Sequence, residues 1–105
     1  MIPLKTIEEL IIKHSNLEKQ LSSGEVDKKE FAEKSKEYSG LNEIINNAKN
    51  YISYEKDKSE LNKILEDKNS DEELRKMADL ELKDLEKQNE KNEKKLKLFL
   101  LPKDE

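Results

Sequence analysis

Apolar side chains recur at steps of three, four and seven along most of the chain, and only two glycines and two prolines interrupt them. Spacing of this kind gathers apolar residues into a stripe along one face of a helix. The stripes are narrow, because 32% of the residues are hydrophobic while 44% are charged. A composition so polar lies between that of a disordered tail and that of a long-helix protein. Regular spacing and scarce Gly and Pro decide for helices. The expected fold is all-α and elongated, a single domain with a thin core and modest stability.

Three helices are predicted. In the first, Ile7, Leu10, Ile11, Leu17 and Leu21 form the stripe, Pro3 suits the first turn, and Gly24 after Ser22 and Ser23 supplies the C-cap. The second opens at Asp27, with Glu30 three residues on in a capping-box arrangement. Phe31, Tyr38, Leu41, Ile45, Ala48 and Ile52 mark its face, and Leu61, Ile64 and Leu65 continue it. This reads as one helix of roughly 38 residues, about 57 Å long. A bend is expected near Gly40, which costs about 1 kcal/mol relative to Ala. Two helices broken there are the alternative. Residues 66–70 form a polar turn, and Ser70 followed by Asp71, Glu72 and Glu73 makes a second capping box. Leu74, Ala78, Leu82, Leu85, Leu96 and Phe99 then mark the third helix, polar in its middle at Gln88, Asn89 and Asn92. Pro102 stops it, since the residue before a proline resists helical geometry.

Short connections make neighbouring helices antiparallel. Folding about the 67–70 turn brings the end of the third helix near residues 38–41, and the first helix folds back to the same end. The expected architecture is an elongated three-helix bundle at one end, with a two-helix antiparallel coiled-coil arm at the other, tipped by residues 66–70. Leu96, Phe99 and Leu100 then belong to the core where the helices meet. Leu98 and Leu101 point elsewhere, and periodicity does not account for them.

Charge and chemistry narrow the function. The 25 acidic and 21 basic residues, net -4, are mixed along the chain, unlike the one-sided Lys/Arg surface of an autonomous nucleic-acid binder. No cysteine is present, so disulfides, thiolate metal sites and thiol redox chemistry are excluded. That fits a cytoplasmic protein, as does the lack of an apolar signal segment at the start. The apolar run of Leu96 and residues 98–101 is far too short to cross a bilayer. With Lys94, Lys95 and Lys97 it could serve as a membrane-surface anchor, but one turn of apolar surface is little to hold it.

The single histidine, His14, lies on the stripe between Ile11 and Leu17. It has Glu18 one turn on but no second histidine or cysteine, so it reads as a partly buried structural residue. The pairs Glu8–Glu9, Glu72–Glu73 and Asp104–Glu105 read as solvated faces and caps, because paired catalytic carboxylates need a cleft to separate their pKa values. Tyr51 and Tyr54, near Lys49, Lys56 and Lys58, read as core and boundary residues rather than base-stacking platforms. No phosphate-binding glycine loop, hydrolase triad or dinucleotide fingerprint occurs. No catalytic, cofactor-binding or metal-binding residue is assigned, and the chain does not read as an enzyme.

Three segments in order, "FAEKSKEYSGLNEII", "DEELRKMADLELKDLEK" and "LKLFLLPKDE", resemble the amino-terminal helical domain of bacterial class I peptide chain release factors. The closing "LLPKD" is most similar to the branch that reads UAA and UAG. The resemblance covers nearly the whole chain, though the first helix matches only in pattern. At "SGLNEII" the sequence departs from the family, which often carries a proline near Glu43. The resemblance implies that residues 1–101 are a helical domain and residues 102–105 begin a linker to codon-reading and catalytic domains. Those domains carry a Pro-x-Thr stop-codon reader and a Gly-Gly-Gln loop that promotes peptidyl-tRNA hydrolysis. Neither motif occurs in residues 1–105, so no functional residue of the family carries over.

The chain is thus expected to be a piece cut at a domain boundary, with Leu98 and Leu101 packing on a further domain or associating weakly with a second copy. The implied role is translation termination on the ribosome, with this domain reaching the stalk base of the large subunit and meeting ribosomal RNA only within the full-length factor. A stand-alone coiled-coil scaffold and a stop-independent rescue factor are the rival readings. A far-UV spectrum should show well over half helix, against about one third in ordinary globular proteins.

Overall fold

The computed structural model describes residues 1–101, and the regular structure there is entirely helical. Helix α1 spans Leu4–Ser23, α2 Lys28–Asn42, α3 Ile45–Glu66 and α4 Glu72–Leu100. The expectations placed on Pro102, Asp104, Glu105 and the 102–105 linker lie outside the described residues.

The helix ends follow from local chemistry. Gly24 closes α1 in the left-handed region at φ 74°, where a side chain would strain the backbone. Asp27 caps α2 by accepting from the Glu30 N–H at 2.9 Å. At α4 the cap is Asp71 rather than Ser70, and it accepts from the Leu74 N–H at 2.7 Å. Glu72 and Glu73 then lie in the first turn, where they complement the positive end of the helix dipole. The Asp67 carbonyl accepts from the Arg75 guanidinium at 2.9 Å, which ties the turn to α4.

The long second helix predicted from the stripe is in fact two helices, and the break falls at Glu43 and Ile44 rather than at Gly40. The Glu43 N–H donates to the Gly40 carbonyl at 3.3 Å and the Ile44 N–H to the Leu41 carbonyl at 3.1 Å. These three-residue spacings tighten the last turn of α2. Ile44 then leaves helical geometry at φ -119°, ψ 0°. The chain re-enters a helix at once, with the Ala48 N–H donating to the Ile44 carbonyl at 2.9 Å. A Cβ added at Gly40 would meet nothing within 4 Å, so no neighbour demands glycine there. Its contribution is low helix propensity beside the break.

The core lies where α1 crosses this break. Ile2, Ile7, Leu17, Leu41, Ile44, Ala48, Tyr51 and Leu96 form one buried cluster, with Ile7 and Leu96 fully enclosed. Helix α1 packs on both α2 and α3, whereas the backbone of α4 approaches only α3. The base is therefore less closed than a bundle in which α4 lies along the first two helices. Phe31 and Leu74, expected on buried stripes, are exposed. The molecule measures 60 × 33 × 19 Å, and α3 and α4 carry the arm away from the base.

Residues 86–95 contribute no apolar side chain, yet α3 and α4 stay paired there. Asn92 is buried and accepts from Asn47 Nδ2 at 2.9 Å. The buried Oδ1 of Asn89 has no protein partner. Asn92→Ala should destabilise the chain by about 1 kcal/mol, because it removes one hydrogen bond and leaves its neighbour partly buried. Replacing Asn47 and Asn92 together with Leu should instead be neutral or stabilising, since both polar groups leave the interior at once. Urea unfolding of the two variants checks the opposite signs.

Candidate interaction surface

The residues that carry chemistry are used for structure. His14 is buried on α1, stacked on Tyr38 with ring centroids 4.8 Å apart. Its Nε2 lies 2.6 Å from Asn42 Oδ1, which fits donation from an Nε2–H tautomer. The imidazole thus joins α1 to the last residue of α2. Glu8, Glu9, Glu72 and Glu73 are exposed and do not converge. Among the described residues no group of His, Cys, Asp or Glu could hold a metal ion.

Tyr51 is buried, and its hydroxyl accepts from the Ile2 N–H at 3.1 Å. Tyr54 is half-buried with the Lys58 ammonium 5.6 Å from its ring centre, while Lys49 and Lys56 are exposed. The tyrosines therefore form no exposed platform for bases. Ile2 was missed by periodicity because it precedes the first helix, although it is as buried as Leu17.

Beside the core, Glu93 joins two cations. Its carboxylate lies 3.2 Å from the Lys97 ammonium and 3.3 Å from the Met1 amino group. The Lys97 hydrogen bond, and after it that of the Met1 amino group, hold this carboxyl below its ordinary value of 4.5.

The end of α4 divides differently from the sequence expectation. Leu96 is fully buried as expected, but Phe99 and Leu100 are each 38% exposed. They belong to the edge rather than the core, because no helix lies over the last turn of α4. Leu98 at 70% and Leu101 at 59% are more open still. Leu98, Phe99 and Leu101 form one wall of a groove of about 570 Å³, faced by Leu10 of α1 and Gly40 and Leu41 of α2. Charged residues edge it, including an ion pair between Lys13 and Glu37. A second apolar set, Leu74, Met77 and Leu80, is exposed on the arm. The arrangement leaves two apolar surfaces uncovered, one at the end of α4 and one along the arm.

A family model described as the PCRF domain matches residues 10–105. The chain belongs to the peptide chain release factor family. It is 71% identical over all 105 residues to a Pelagibacter ubique protein named "Peptide chain release factor 1". Proteins of the same name from Alkaliphilus oremlandii and Wolbachia pipientis are 37% identical over 88% of the chain and 41% identical over 94%. The chain spans 29%, 26% and 28% of the lengths of these three relatives. No solved structure gave a significant match. Among the described residues, no helix is long and apolar enough to cross a membrane.

The release factor domain should feel substitutions at the end of α4 in order of burial. Leu96→Ala should cost about 2–5 kcal/mol, as expected for a fully enclosed leucine. Phe99→Ala should cost clearly less than the 3–5 kcal/mol typical of a buried phenylalanine. Leu98→Ala should fall within about 0.5 kcal/mol of the parent, like other surface changes. Chemical denaturation of the three variants gives the ranking, and equal losses at Leu96 and Leu98 would refute the assignment of faces.

Proposed function

We propose that this chain is the amino-terminal helical domain of a release factor that terminates translation in the cytoplasm at UAA and UAG. The observation that carries the release factor reading is 71% identity, across all 105 residues, with a protein named "Peptide chain release factor 1"; the codon assignment rests on the resemblance of the closing "LLPKD". The domain positions and contacts; it does not itself hydrolyse peptidyl-tRNA. Its histidine is committed to Tyr38 and Asn42, and its acidic pairs stand on exposed faces. Water at a peptidyl-tRNA ester must be oriented by groups held in reacting geometry, and no such set converges among the described residues.

The partner is the ribosome, met at the stalk base of the large subunit. An elongated domain supports this reading, since an arm reaches a site distant from the decoding centre. Leu74, Met77 and Leu80, uncovered along the arm, are the contact surface assigned to a protein component there. Attraction to ribosomal RNA is not the driving term for a domain of net charge -4, because phosphate contacts require basic side chains. Neither the scaffold reading nor the rescue-factor reading has an observation of its own to favour it.

The test is release of labelled peptide from ribosomes stalled at UAA, UAG or UGA. The 105-residue chain in excess should leave release at the factor-free background. The full-length product of its gene should release at UAA and UAG but not at UGA. Release by the 105-residue chain alone would overturn the positioning role, and release at UGA would overturn the codon assignment.

A further inference from the structure

Between α3 and α4, in the arm, runs a second groove of about 410 Å³. Its apolar lining is Leu61, Ile64 and Leu85, all half-buried. Along it stand the carboxylates of Asp57, Glu60, Glu81 and Asp84, and no basic residue lines it. Elsewhere on α4, exposed acids pair with a base one turn away: Glu72 with Lys76, Asp79 with Lys83, Glu93 with Lys97. The groove departs from that pattern. Among the described residues none of its four carboxylates forms an ion pair, although Asp84 accepts from Gln88 Nε2 at 2.9 Å. Asp57 and Glu60 are three residues apart, as are Glu81 and Asp84, a spacing that makes like charges neighbours on one helix face. The chain's own bases leave this repulsion unrelieved.

We propose that this groove docks a basic amphipathic helix of another protein. The apolar stripe of that helix covers Leu61, Ile64 and Leu85, and its lysines or arginines meet the four carboxylates. The inference stands on the groove itself and does not depend on the release factor reading. Laying an amphipathic helix into an apolar groove is a recurrent mode of recognition. Residues 57–64 of α3 and 81–88 of α4 each run about 12 Å, or about two turns, which suits a stripe at i, i+3, i+4 and i+7. Charge then selects among helices, because opposite potentials across an interface speed encounter and fix register while like charges exclude. A second copy fails that selection, since the same face would set four carboxylates against four, on chains of net charge -4. Nucleic acid fails it too, because its phosphates would meet carboxylates. A small cation would satisfy the acids but leave the apolar lining uncovered.

The test titrates the isotopically labelled 105-residue chain with a synthetic peptide of about 18 residues, long enough to form a helix. The peptide carries leucine at i, i+3, i+4 and i+7 and lysine or arginine at the flanking positions. Amide shifts should centre on residues 57–64 and 81–88. A scrambled peptide of the same composition, which keeps the charge and loses the stripe, should bind about tenfold more weakly or worse. Glu60→Lys with Glu81→Lys should weaken binding of the striped peptide by about tenfold or more. Both positions are exposed, so this variant should keep the unfolding midpoint of the parent, which separates lost docking from lost folding. Absence of binding, shifts centred elsewhere, or equal affinity for the scrambled peptide would overturn the proposal. Spermidine that reproduces the shifts at the same concentration would assign the carboxylates to a small cation and overturn it. Shifts at the groove that grow with concentration of the chain alone would assign it to a second copy and overturn it equally.

Discussion

Leu96 is the one α4 side chain within the main core among the described residues. It enters a cluster contributed by α1, α2 and α3, while its own helix touches only α3 along the backbone. A single fully buried leucine thus couples the arm to the base. Without it, the lower end of α4 would keep only the Asn47–Asn92 hydrogen bond, the Glu93 ion pairs and the partly exposed Phe99 and Leu100. The groove wall depends on the same anchor. Leu98, Phe99 and Leu101 take their places because Leu96, one turn earlier, sets the rotation of the helix.

The break between α2 and α3 gives that leucine its site. Leu41, Ile44 and Ala48 line one side of the crossing, and Ile7 and Leu17 of α1 line the other. The His14–Asn42 hydrogen bond stands at the same level. It fixes the end of α2 against α1 where the backbone turns, so a potential catalytic side chain serves as a joint.

Caps and stripes made much of this legible in the residues. Asp27 and Gly24 act as their types suggest, and the polar turn lies where the stripe lapses. The break was hidden for a definite reason. Leu41, Ile44, Ile45 and Ala48 recur at spacings that suit one continuous helix as well as two, so the pattern cannot register the change of backbone geometry at Ile44 between them. Gly40 drew attention as a residue of low propensity, but hydrogen bonding fails just after it. Phe99 and Leu100 were placed inside by periodicity, which gives a face and not what lies opposite. Asn92 illustrates the converse: a polar residue is buried because its partner Asn47 is there to meet it, and one helix read alone does not show its neighbour. Of the groove at the end of α4, the sequence showed Leu98 and Leu101 off the stripe but not that Leu10, Gly40 and Leu41 stand opposite them.

The stretch of α4 without apolar residues, 86–95, has a mechanical consequence. Polar contacts between the two arm helices exchange with water at small net cost, whereas displacing buried side chains at the base opens cavities. Resistance to bending is therefore uneven along the 60 Å body. A compliant joint separates a stiff foot, locked by Leu96, from the far half of the arm at Leu61, Ile64, Leu82 and Leu85. A load applied at the tip would bend the arm at the asparagine level before it strained the base.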